Sequence, residues 1–128
     1  MTLTYIFHSG FILETKRSIL VFDYWLDPSG VMDGVLRSEK PVYEFLGELK
    51  DIRKIADSFD VVMFPIDGRI GNGYTLGDRQ FIERFKVGLF VPMHFTTGFE
   101  SSWRMKEFTD EKDITFWEIN REGETIEI

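Results

Sequence analysis

The chain has 128 residues, 43% hydrophobic and 16% aromatic, which fits one domain with a real core and excludes a disordered segment. A net charge of −7 argues against nucleic acid and against an anionic membrane surface as partners. The absence of cysteine removes disulfides, thiolate metal sites and cysteine nucleophiles. Thr2, Thr4, His8 and Glu14 interrupt the start, so no signal peptide is expected, and no apolar run reaches membrane-spanning length. A cytoplasmic protein is the resulting expectation.

Leu3, Tyr5 and Phe7 alternate with Thr2, Thr4 and His8, the period of a half-buried strand. Ser9-Gly10 turns the chain, Phe11 to Thr15 returns, and Lys16-Arg17 turns it again. Ser18 to Trp25 is the most apolar strand of this half, with Ile19, Leu20, Val21 and Phe22 in succession. Links this short make the three strands an antiparallel meander. From Leu26 to Pro41 periodicity stops, and Asp27-Pro28-Ser29-Gly30 and Asp33-Gly34 are turn chemistry. Phe45, Leu49, Ile52, Ala56 and Phe59 then recur at helical spacing and predict an amphipathic helix from Tyr43 to Ser58. Gly47 costs about 1 kcal/mol relative to alanine, so a start at Glu48 or Leu49, with Val42 to Leu46 extended, is the alternative.

Val61 to Phe64 and Val87 to Val91 are short apolar runs closed by Pro65 and Pro92, which suits strands buried on both faces. Between them Phe81, Ile82 and Phe85 mark a helix over Thr75 to Lys86, and Thr75 stands ahead of Asp78 as in a capping box. Strand, helix and strand form a βαβ unit with a right-handed crossover. Ser101 or Ser102 caps a short helix carrying Trp103 and Phe108. Ile114 to Ile119 and Glu124 to Ile128 then pair as a hairpin across Asn120 to Gly123. The expected fold is α/β (α+β) in a single domain, residues 1–128: an N-terminal meander, then a βαβ unit and a hairpin.

Polar residues follow both central strands, Asp67 and Arg69 after the first and His94 after the second. Carboxyl ends of neighbouring parallel strands are where open α/β sheets build sites. His8 and His94 each read as a metal ligand or base, or as a strand-end ring bonded to backbone. Asp23, Asp67 and Glu48 read as oxygen ligands or paired carboxylates, while Asp67-Gly68 is equally turn chemistry and Asp23 equally a partner for backbone donors. Arg69 suits either an anionic substrate or an ion pair with Asp67, the pair being favoured at this acidic composition. No G-x-S-x-G elbow, phosphate loop or H-E-x-x-H occurs.

Phe7-His8-Ser9-Gly10-Phe11-Ile12-Leu13-Glu14, followed by Ile19-Leu20-Val21-Phe22-Asp23-Tyr24, resembles the opening of metallo-β-lactamase-fold hydrolases. Asp60 to Gly71, Val91-Pro92-Met93-His94-Phe95 and the Gly-Glu ending resemble their closing half. The resemblance implies a shortened αββα sandwich. It also implies metals, usually zinc, held by an H-x-H-x-D-H loop, a further histidine, an acid after glycine and a late histidine. His94 matches the late histidine, and Gly47-Glu48-Leu49 resembles the glycine-acid position with Glu for the usual Asp. Lys40-Pro41-Val42-Tyr43 looks like the strand entering the missing loop, after which the chain passes at once to Gly47-Glu48. The resemblance thus implies that His94 and Glu48 are vestigial metal ligands, with Asp23, Asp67, Arg69 and His8 in the pocket.

A catalytic zinc needs about three protein ligands and an open position for water. With most of them missing, the resemblance implies a non-catalytic binding or assembly module without a cofactor, and no catalytic residue is assigned. The thirteen Phe, four Tyr and three Trp left on a shortened frame imply a homodimer. The alternative is a metal-dependent hydrolase whose zinc site is completed across an oligomer interface. There His94, Glu48, Asp67 or Asp23 would ligate and Arg69 would contact a small-molecule substrate. A folded remnant with no selected function is the third reading.

Overall fold

A computed structural model describes residues 1–22, 40, 42–45, 56–69, 74–95 and 98–128. Its strands are β1 (Thr2–Phe7), β2 (Gly10–Glu14), β3 (Ile19–Phe22), β4 (Val42–Phe45), β5 (Ser58–Pro65), β6 (Lys86–Met93), β7 (Thr115–Phe116) and β8 (Thr125–Glu127). Helix α1 is Leu76–Ile82, and a 3-10 segment Phe99–Met105 leads into α2 (Lys106–Asp110). The chain forms two compact units, Met1–Glu48 with Asn120–Ile128, and Leu49–Ile119. The class is mixed α/β, and no helix among the described residues is long and apolar enough to cross a membrane.

The first unit holds one sheet in the order β4-β3-β2-β1-β8. The expected meander is present: β1 pairs β2 and β2 pairs β3, both antiparallel. Register explains how the sheet buries two faces. Opposition of Thr4 to Ile12 and of Ile12 to Val21 puts Ile6, Ile12, Ile19 and Val21 on one side, where they form a buried cluster. Leu3, Tyr5 and Phe11 occupy the other side and are buried too, with the Tyr5 and Phe11 rings 5.3 Å apart. The half-buried reading of β1 is therefore corrected, because Ile6 makes the Thr4 face a core face. Thr4 is accommodated there by the Thr125 hydroxyl, 3.3 Å away.

The Tyr43 to Ser58 helix is corrected at both ends. Val42–Phe45 is a strand parallel to β3, and Ser58 already belongs to β5. The extended alternative holds for Val42–Phe45, and residues 46–55 lie outside the described residues. β-branched and aromatic residues in Val42-Tyr43-Glu44-Phe45 favour a strand once β3 offers an edge.

The second unit is built on a parallel sheet, β5-β6-β7. β5, α1 and β6 form the expected βαβ unit, with Val61 opposite Leu89 and Pro65 opposite Met93. Gly88 permits this pairing, since a Cβ there would lie 2.8 Å from the Asp60 carbonyl oxygen. Pro92 can lack an N–H because β7 pairs β6 only at Leu89 and Phe90. Phe64, Phe90 and Phe116 stack across the three strands, at 6.2 and 5.9 Å between ring centroids. Val62, Ile66, Ile82, Val87, Met105 and Ile114 join Phe90 in the core. Burial on both faces applies to Leu89–Pro92 of β6 but not to β5, where only Val62 is fully buried.

Four further expectations fail. Helix α1 ends at Ile82, and Phe85 sits in the turn that follows, its ring 4.6 Å from that of Phe81. Thr75 makes no side-chain capping bond, and the Asp78 side chain is buried. Ser102 does not cap a helix: its hydroxyl donates to the Phe99 carbonyl at 2.7 Å inside the 3-10 segment. The C-terminal hairpin is also absent. β7 pairs β6 in parallel, whereas β8 pairs β1, with the Tyr5 N–H bonded to the Glu124 carbonyl and the Gly123 N–H to the Tyr5 carbonyl.

Candidate functional site

The parallel register that sets Pro65 beside Met93 brings together the residues that follow each strand. The Ile66 N–H continues the ladder to the Met93 carbonyl at 2.8 Å, so the chain leaves β5 still tied to β6. Asp67 then turns the chain, its Oδ1 accepting the Arg69 N–H at 3.0 Å, the side-chain mimic of a backbone turn. On the other strand His94 takes a left-handed conformation, φ 58°, which ends β6 abruptly. Nδ1 of His94 lies 3.4 Å from Oδ2 of Asp67.

Arg69 grips the same carboxylate. Its Nε donates to Oδ1 at 2.9 Å and to Oδ2 at 3.0 Å, and its Nη2 donates to Oδ2 at 2.6 Å. Asp67 is buried while the Arg69 side chain is 60% exposed, so the guanidinium itself forms much of the lid over the acid. The cover is shallow, supplied by immediate neighbours and not by a deep layer of protein. Hydrogen bonding from Arg69 holds the Asp67 carboxyl well below the usual carboxylate range; burial opposes this, and the charges of Arg69 and His94 add to it. The same pairing raises the Arg69 guanidinium.

Of the residues singled out from sequence, Asp67, Arg69 and His94 come together. His8 belongs to the first unit, where it too is left-handed, φ 59°, and its Nδ1 lies 2.9 Å from the Ser9 hydroxyl. Tyr5 stands behind this turn, and burial pushes its hydroxyl up to about 12, against a bond from the His8 backbone that lowers it. Asp23 and Glu48 lie outside the described residues. Asp67 and His94 could offer a metal two donors, but Asp67 is already committed to Arg69. Among the described residues no group of three or more His, Asp or Glu is arranged to hold a metal ion.

Sequence reading missed Asp78. It is buried on α1, Oδ2 has no hydrogen-bond partner among the described residues, and burial raises its carboxyl to about 7. The capping-box spacing assigned it another role, and only its burial in the fold reveals this one. A cavity of about 650 Å3 does not coincide with the Asp67 cluster. It opens at the opposite, amino ends of β5 and β6, between Asp57, Arg84, Lys86 and Lys112.

No family model, curated protein or solved structure matches this chain.

Proposed function

We propose that this chain is a shortened relative of the metallo-β-lactamase-fold hydrolases that acts as a binding or assembly module and not as a hydrolase. The observation that supports the reading is the two-oxygen grip of Arg69 on Asp67. A carboxylate engaged in this way is a poor metal ligand, since coordination would strip charge-assisted bonds from it. The same grip orients Arg69, which keeps Nη1 free of hydrogen bonds among the described residues and its side chain largely in solvent. A guanidinium so held can receive a carboxylate or phosphate of a partner without losing further rotamer freedom.

Elemental analysis of protein purified without chelator or added metal tests this reading. The expected result is no stoichiometric zinc and no zinc-stimulated hydrolysis of ester, amide or phosphodiester substrates. Near-equimolar zinc that survives dialysis and is lost in His94→Ala would overturn it.

A second reading, a hydrolase whose zinc site forms between two copies, draws on the 3.4 Å approach of His94 to Asp67. It requires that zinc both drive association and switch on hydrolysis, with both effects lost in His94→Ala. Activity in an obligate monomer would rule it out.

A further inference from the structure

Helix α1 is joined to the second unit by few contacts. Of its seven residues only Asp78 and Ile82 are fully buried, one turn apart and so on one face. Leu76 is 58% exposed, a Cβ on Gly77 would meet nothing within 4 Å, and Arg79 and Gln80 are exposed. Ile82 belongs to the core cluster, and the Phe81 ring packs on those of Phe59 and Phe64 of β5 at 5.5 and 4.9 Å. The second turn is thus anchored by apolar side chains, whereas the only buried residue of the first turn is Asp78. The helix start has no side-chain cap either, and two turns are too short to persist without tertiary support.

That anchor is in conflict with its surroundings. Asp78 takes a core-facing position where an amphipathic helix ordinarily places an apolar residue. Its Oδ2 is closed off from solvent and has no hydrogen-bond partner among the described residues. No charge on the elements around α1 compensates it. Arg79 lies over the Phe108 ring at 4.7 Å, Arg104 lies over Tyr74 at 5.8 Å, and Lys106 pairs with Asp110 and Glu118. Asp60, Lys86, Glu100 and Glu107 do not act on it, and only its own backbone N–H opposes the effect of burial. The neutral acid leaves one acceptor unsatisfied there, whereas the carboxylate would carry an uncompensated desolvation cost. Local conflicts of this kind concentrate at functional sites.

We propose that Asp78 is a proton-operated latch: as the neutral acid it keeps the first turn of α1 docked, and as the carboxylate it lets that turn open into water while the β5–β6 pair stays intact. The direction follows from burial, which raises the docked carboxyl to about 7 from the ordinary 3.8 that it regains in the open turn. Opening therefore releases a proton between about pH 4 and pH 7. The open fraction rises with pH across that window and levels off above it.

The test is amide hydrogen exchange of the full chain from pH 5 to pH 8, read by NMR, with each rate divided by its intrinsic value at that pH. The Arg79 N–H, bonded to the Thr75 carbonyl at 3.1 Å, reports on the first turn, and the amides of Phe90 and Val91 in β6 report on the sheet. The expected result is weaker protection at Arg79 than at Phe90 and Val91 throughout. Protection at Arg79 should fall about tenfold per pH unit between pH 5 and pH 7, the slope of one released proton, and level off above. In Asp78→Asn it should not change with pH. Asp78→Leu, which fills the core-facing position with an apolar group, replaces that variant if it does not fold and should give the same flat profile. Protection at Arg79 that is independent of pH in the unsubstituted chain would overturn the proposal. So would an Arg79 amide that exchanges together with Phe90 and Val91, that is unprotected at every pH, or that keeps its pH dependence in the variants.

Discussion

Asp67 and Asp78 are both buried acids, yet their surroundings drive them in opposite directions. Asp67 is ionised in the fold because Arg69 donates to both of its oxygens. Its folded value lies below the ordinary 3.8, so the stability it contributes is present above about pH 4 and lost as pH falls below it. Arg69→Gln should flatten that acid limb of a pH-dependent melting curve, and an unchanged limb would show that the pair contributes nothing. Asp78 behaves inversely. With a folded value of about 7 against 3.8, it binds a proton that the unfolded chain releases. Its contribution is complete below about pH 4, declines as pH rises towards 7 and is flat above that. Asp78→Asn should therefore raise stability at pH 8 by up to about 4 kcal/mol and leave it nearly unchanged at pH 4. Urea denaturation at the two pH values measures this, and equal effects at both would refute it.

At the scale of elements, the β5–β6 pair depends on a glycine and α1 starts without a side-chain cap. Gly88→Ala would drive a methyl against the Asp60 carbonyl, which is backbone and can yield only if the strands separate. The expected cost is about 1–3 kcal/mol, the range for overpacking a well-packed site. Equilibrium unfolding measures it, and a neutral substitution would mean that the strands adjust freely. Thr75 makes no capping bond, so Thr75→Ala should cost well under the ~1 kcal/mol of an ordinary cap. A loss of that full size would show that the hydroxyl caps α1 in solution. His8 and His94 both end strands in left-handed conformations. Asparagine tolerates this region better than alanine does, so His94→Asn should keep the turn with less strain than His94→Ala.

At the scale of the whole molecule, the proposed homodimer is the point open to direct measurement. Among the described residues only Met1 and Leu76 are exposed large hydrophobics, so a broad apolar face is not what these elements would bring to a contact. Strand edges are the other means by which identical chains pair. Among the described residues β8 and β4 border the first sheet and β5 and β7 the second. Light scattering at micromolar concentration should give twice the 15.1 kDa chain mass. A mass equal to the single chain would remove both the dimer and the shared-site reading.

The sequence by itself determined what local chemistry can encode. The meander followed from tight turns at Ser9-Gly10 and Lys16-Arg17, and the βαβ unit from two apolar runs around a helical period. Placing Asp67, Arg69 and His94 at the carboxyl ends of two parallel strands was enough to foresee the ion pair. The tertiary structure decided the rest, because those outcomes depend on partners distant in the chain. The last two strands look like a hairpin, since Ile126 and Glu127 would alternate equally well against any neighbour. Only the long-range bonds of Gly123 and Glu124 to Tyr5 give β8 to β1. Val42–Phe45 fits a helical period, and the exposed edge of β3 makes it a strand. Asp78 fits a capping pattern, and the burial of its side chain turns it into an acid without a partner for Oδ2. In each case the local signal was compatible with two structures, and burial or backbone pairing across many residues supplied the free energy that separated them.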